Sequence, residues 1–221
     1  MKKLIRVLVF CMFVCITPKL YCMDFFSFYL GFGTDDKGRS LASIHNYTYQ
    51  HKEAQHDFIQ RIFPNLNPSE ADPSAPRITQ KEVDRMKKNP TILANLRKSF
   101  DTMLDFYGIK YNTAHTALER NMENEKTRFG LGGWNSRSAN WLTKNNHNYL
   151  RITRIITCLH LFGLKQEATL FFDFLNQLYQ DSQYKKMIGK TTFDYWFRAH
   201  STALIKHFNS DVHALSQKAS Q

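Results

Sequence analysis

Apolar residues recur at three- and four-residue intervals along most of this chain, and no run alternates strongly enough to mark a strand. The pattern predicts an all-α fold, a single globular multi-helix domain with long loops and no β-sheet core. The segment around which the rest is organised runs from Asn146 to Leu161, a predicted helix opened by Asn145 or Asn146 and closed by Gly163. On it Tyr149, Ile152, Ile156 and Leu159 share an apolar face. His147, Arg151, Arg154 and Cys158 follow one another at helical spacing on the other side, so an imidazole and two guanidinium groups form one polar ridge. Such a ridge is either solvated or paired. A solvated basic face is the simpler reading; the sharper one is an anion or carboxylate site, since two guanidinium forks a turn apart can grip planar oxygen pairs.

Other elements follow from the same periodicity and from their caps. A helix is predicted from Thr48 to about Phe63, turning Phe58, Ile59, Ile62 and Phe63 inward and ended by Pro64. Residues 65–76 form a proline-containing surface loop. Thr79 and Glu82 make a capping box with Ile78 and Val83 at staple spacing. Asn89 caps, and Pro90 opens, a strongly amphipathic helix that carries Leu96, Phe100, Met103, Leu104 and Tyr107 and stops at Gly108. Ala114 to Lys126 is read as a further helix, and Arg128 to Asn146 as a loop. Leu164 to Gln180 should fold back on the central helix across Gly163 as a helical hairpin. A last helix from about Thr192 to Phe208 turns Phe193, Trp196, Phe197, His200 and Leu204 inward. Between Asp24 and Thr48 the glycines indicate a loop between packed aromatics.

Composition narrows the class. At 221 residues, 43% hydrophobic and 14% aromatic, the chain has enough apolar material for a packed core. Residues 1–22 read as a secretory signal peptide: Lys2, Lys3 and Arg6 precede an apolar run from Val7 to Ile16 that is short for a bilayer span. Residues 23–208 are then the domain and residues 209–221 a flexible tail. Loss of the signal removes four basic residues and lowers the formal net charge from +11 to +7, still suited to anionic partners. The mature chain is expected to have no integral membrane span. It would keep one cysteine, Cys158, expected to be buried and inert.

Three stretches resemble the core domain of the opioid growth factor receptor family. They are His147-Asn148-Tyr149-Leu150-Arg151-Ile152-Thr153-Arg154-Ile155, the run from Glu53 to Pro64, and the run from Met103 to Lys110, in the family's order. The likeness extends from about Phe28 to about Tyr179, with a weaker continuation to His200. It departs at Arg61, where the family usually has tryptophan. The resemblance implies an all-helical, receptor-type or peptide-binding domain rather than a known reaction, with an enkephalin-like peptide as partner by family likeness alone.

The residues themselves offer little catalytic chemistry. His51, Glu53 and His56 lack metalloprotease spacing, and Gly130 to Gly133 lacks the surroundings of a phosphate cradle. There is no nucleophile elbow and no Cys-x-x-Cys pair. The chain is therefore expected to be a binding protein and not an enzyme, with no cofactor and no metal. The candidate ligand-binding residues are His56 and Gln60, four apart on one face, set across a helix pair from His147, Arg151 and Arg154. The competing reading is nucleic-acid or phosphate binding by the basic ridge, with Trp134 and Trp141 beside Arg128 and Arg137 as a stacking platform. An exported protein acting on a host cell is a third.

Overall fold

The computed structural model describes residues 23–219 apart from 124, 125 and 128, and side chains as far as residue 202 except that of 127. The expected signal lies outside the described residues. Ten helices and two small hairpins are present among them, so the fold is all-α with no sheet core.

The first stretch, expected as loop, holds two short helices, each set by a side-chain cap. The Asp24 carboxylate accepts from Phe26 N at 3.0 Å and Ser27 N at 3.3 Å, starting α1 (Phe25–Leu30). Ser40 does the same for α2 (Leu41–His45). Phe25, Phe28 and Tyr29 are buried, whereas Phe32, past the left-handed cap at Gly31, is 88% exposed.

The helix expected from Thr48 to Phe63 is broken into α3 (Tyr49–Ala54) and α4 (Ile59–Ile62). In one straight helix Tyr49 and Phe58, nine residues apart, would point to opposite sides. Both are buried in the same core, so the chain leaves helical geometry at Gln55, with φ −87° and ψ 111°, and re-enters it turned. Phe58, Ile59, Ile62 and Phe63 do face inward.

Next, α5 (Gln80–Met86) starts at the expected capping box, and α6 (Pro90–Tyr107) starts at Asn89, whose Oδ1 accepts from Thr91 N and Ile92 N. Gly108, at φ +76°, ends α6. The helix expected over 114–126 is instead an antiparallel hairpin of β1 (Ile109–Tyr111) and β2 (Leu118–Arg120). Asn112 builds its turn: its Oδ1 accepts from Thr116 N at 2.8 Å and Ala117 N at 3.2 Å, holding the backbone away from helix. A second, two-residue pairing joins β3 (Lys126–Thr127) to β4 (Gly130–Leu131).

The stretch expected as loop contains α7 (Trp134–Trp141), anchored by Trp141 Nε1 donating to Tyr107 O at 3.0 Å. Then α8 (Asn148–Leu161) and α9 (Lys165–Gln180) form the expected hairpin across Gly163. The last element, α10 (Ser182–Ala219), is interrupted by Gly189 at φ +74°, and its backbone stays helical to Ala219, well into the stretch expected as a tail. Trp196 is fully buried and donates to Tyr149 O at 3.1 Å, tying α10 to α8. Phe197 corrects the expectation: at the edge of the Phe193–Trp196–His200 stripe, it is 52% exposed. The side chain of Leu204 lies outside the described ones. His200 is a partnered core histidine, its Nδ1 3.1 Å from His160 Nε2 and its ring stacked on Phe172.

Two glycines with similar backbone angles should respond differently to alanine. A Cβ on Gly108 would meet Gly133 O at 2.8 Å, while one on Gly163 would meet nothing within 4 Å. Urea unfolding should show Gly163→Ala costing about 1 kcal/mol, the left-handed penalty alone, and Gly108→Ala at least about 2 kcal/mol. Equal losses would mean that the approach of α7 to the end of α6 is loose.

His45 predicts an acid-side loss of stability. It is buried with Nε2 2.8 Å from Ser99 Oγ, and burial, then Lys98 and Lys52, pull its pKa down to about 4. The unfolded chain therefore takes up this proton first as pH falls. The contribution is full above about pH 6.5 and is lost between there and about pH 4, roughly 3 kcal/mol in all. His45→Gln should flatten that part of a stability–pH curve, and identical curves would assign the acid sensitivity elsewhere.

Candidate ligand-binding site

The break between α3 and α4 decides what the polar ridge of α8 does. Short helices end with backbone carbonyls that lack helical partners. Arg151, 4% exposed, donates from Nη1 to Lys52 O at 2.9 Å and from Nη2 to Gln55 O at 3.0 Å. A third bond runs from Nη1 to Asn148 Oδ1 at 3.0 Å. One turn on, Arg154 Nε donates to Phe63 O at 2.8 Å, while Tyr29 O–H caps Ile62 O at 2.5 Å. The ridge is thus paired, and its partners are the carbonyls at the ends of α3 and α4. Burial lowers the pKa of both guanidinium groups, but from so high a starting point that they stay charged. Cys158, next along the ridge, is fully buried, and burial pushes its thiol well above the ordinary value.

The five candidate residues divide. His147 is half-buried at the start of α8, and its ring lies edge-on to that of His56, with centroids 4.6 Å apart. His147 Nε2 is also 3.4 Å from Glu53 Oε1, while Asn148 Nδ2 donates to Glu53 Oε2 at 3.3 Å. Burial, then the Arg151 charge, lowers the pKa of His147 against the opposing pull of Glu53. Gln60 goes elsewhere. The helix break separates it from His56, so the two do not share a helical face: His56 is exposed and Gln60 is buried. They meet again at an open cavity of about 280 Å³, lined also by Lys37, Asp57, Asp72 and Ser74 and, on its apolar part, by Ala71 and Pro73. The Gln60 amide, placed to satisfy both its ends, donates to His56 O at 3.2 Å and Asp57 O at 3.0 Å.

Arg61 does not line that cavity but holds two residues that do, Asp57 and Asp72. Its side chain is fully buried and grips Asp36 bidentately, Nε to Oδ1 at 2.8 Å and Nη2 to Oδ2 at 2.7 Å. Its Nη1 reaches Asp72 Oδ2 at 2.5 Å and Asp57 O at 2.8 Å. Burial alone would lower its pKa, but the two carboxylates reverse this and raise it. Arg39 joins Asp35 to Asp57 alongside. Sequence spacing did not reveal Asp36, Asp57 or Asp72 as a group, because they come from three separate segments. Glu53 was visible only as a weak metal ligand, and no cluster of metal-binding side chains occurs among the described residues. Trp134 and Trp141 are buried and packed edge-to-face within the core, which removes the open platform suggested for bases. Arg128 lies outside the described residues.

Replacing Arg151 by Met keeps an unbranched side chain of similar length and takes the donor from the buried Lys52 carbonyl, the partly buried Gln55 carbonyl and the Asn148 amide oxygen. It should destabilise the fold by about 3 kcal/mol or more, against about 1–2 kcal/mol for Arg154→Met, which strands one carbonyl. Chemical denaturation measures both; a loss below about 1 kcal/mol for Arg151→Met would mean that water replaces the guanidinium.

Comparison with known proteins agrees with the three motifs. The conserved region of the opioid growth factor receptor matches residues 24–208. The human opioid growth factor receptor is 32% identical over 137 residues, 61% of this chain and 19% of that receptor. The mouse opioid growth factor receptor-like protein 1 is 30% identical over 115 residues, 52% of this chain and 22% of that protein. The chain thus spans about a fifth of the length of the relatives it matches. No solved structure matches it. With the family's region covering nearly all of the described fold, the chain belongs to the opioid growth factor receptor conserved-region family.

Proposed function

We propose that this domain is an exported, receptor-type binding module that recognises a peptide or protein ligand at the surface formed by His56, His147 and Glu53 and the adjoining cavity. The observation that carries this reading is the division of labour on α8. Arg151 and Arg154 hold the backbone, while His56 and His147, one ring against the other, remain accessible beside a carboxylate with only long contacts. A ligand backbone lying across His56 could exchange hydrogen bonds with both imidazoles and extend one side chain into the cavity beside Asp57, Asp72 and Gln60. In this reading Arg151, Arg154 and Arg61 are the frame, and His56, His147, Glu53 and Gln60 make contact. The relatives' name motivates an enkephalin-like peptide as the first ligand to try. Export rests on the character of residues 1–22. Among the described residues no helix is long and apolar enough to cross a membrane.

The test is a thermal-shift titration of the full chain with enkephalin-like and unrelated peptides. A binding peptide should raise Tm for the parent chain and fail to do so for His56→Ala/His147→Ala, with little change in the Tm of the free protein. A shift of equal size in the double variant would remove the imidazole pair from the site.

A further inference from the structure

On a surface that shares no residue with the imidazole pair, β2 has an unpaired edge. The bonds Asn112 N to Ala117 O and Asn121 N to Gly108 O fix the phase of the β1–β2 ladder. With Ile109 opposite Arg120 and Tyr111 opposite Leu118, alternation makes Lys110–Glu119 the bonded pair between them. The N–H and C=O groups of Leu118 and Arg120 therefore point outward, and among the described residues none of them has a partner.

A groove of about 350 Å³ runs beside this edge, lined by Leu118, Glu119, Arg120 and Met122 and, from α9, by Phe174 and Leu178. Three consecutive strand residues, whose side chains alternate between faces, all line it, so it follows the edge and not one face. Met122 is 60% exposed at its mouth.

The charges beside the groove indicate what fits. The Glu119 carboxylate is half exposed, and its cation, Lys110, stands 3.8 Å away and is closer to Glu123 at 2.9 Å. Arg120 is drawn aside, its guanidinium over the rings of Trp134 and Tyr184. A second copy of this chain fits poorly: the symmetric register that pairs Leu118 with Arg120 of the copy sets the two Glu119 carboxylates opposite each other. We infer that the outer edge of β2 takes an extended, basic polypeptide segment as an added antiparallel strand, with an apolar side chain in the groove and a Lys or Arg opposite Glu119.

The probe is an acetylated and amidated peptide, Thr-Val-Lys-Leu-Lys-Val-Thr, with the same peptide N-methylated at the alternate residues that face the edge as control. Binding is followed by tryptophan fluorescence and by amide shifts at Leu118 and Arg120. The control should bind at least about tenfold more weakly, since each methyl removes a donor. Glu119→Lys, at a half-exposed position, should weaken the lysine peptide and favour its glutamate counterpart. Equal binding of the control, indifference to Glu119→Lys, or no binding of the probe up to about 1 mM would each overturn the inference. His56→Ala/His147→Ala should leave this binding unchanged, which separates it from the imidazole site.

Discussion

Buried guanidinium groups satisfying stranded backbone carbonyls are the constraint on which this fold depends. The chain between Thr48 and Pro64 buries residues from opposite sides of a helix, so it has to break, and breaking frees carbonyl oxygens inside the protein. An unpaired buried carbonyl costs free energy comparable to a lost hydrogen bond. Arg151 and Arg154 reach across from α8 to supply the missing donors. Their positive charge sits at helix C-termini, where the backbone dipoles favour a cation. The same bonds lock α8 to α3 and α4, and so they fix where His147 and His56 meet.

Arg61 solves a different problem with the same chemical group. The arginines of α8 face neutral oxygens and have their pKa values lowered by burial; Arg61 faces Asp36 and Asp72 and has its own raised. The first pairing joins helix to helix. The second clamps the loops around residues 36 and 72 onto α4, and those loops, with His56 and Gln60, bound the cavity. A fully buried cation gripped by two carboxylates is costly to form and more costly to break, so it favours one arrangement of these loops over others.

How far the chain could be read in advance varied with the range of the controlling interaction. The capping box at Thr79, the Asn89–Pro90 start and the Gly108 stop were legible because each works within a few residues. The Asn112 turn is just as local, yet the stretch that follows it, 114–126, reads as helix because it shows no strong alternation, while the turn itself is made by a side chain just outside that stretch. The α7 helix reads as loop for the opposite reason: it follows the glycines at 130, 132 and 133, its own residues are mostly serine and asparagine between the two tryptophans, and it is held by Trp141 reaching Tyr107 O far along the chain. In the candidate site, the spacing of His147, Arg151 and Arg154 and the facing of His147 by His56 were legible, but the backbone carbonyls that the two arginines serve were not.

The sequence by itself determined the helical class, the central amphipathic helix, most helix ends and, through three short motifs, the family. Periodicity and capping suffice for these, because they act over one or two turns of chain. Only the tertiary structure decided that the α8 arginines serve the backbone, that His56 and Gln60 part company and rejoin at a cavity, and that the outer backbone groups of β2 stay unpaired among the described residues. Each of those outcomes depends on where a distant carbonyl, carboxylate or strand comes to rest, and hydrogen bonds between remote segments leave no period in a sequence.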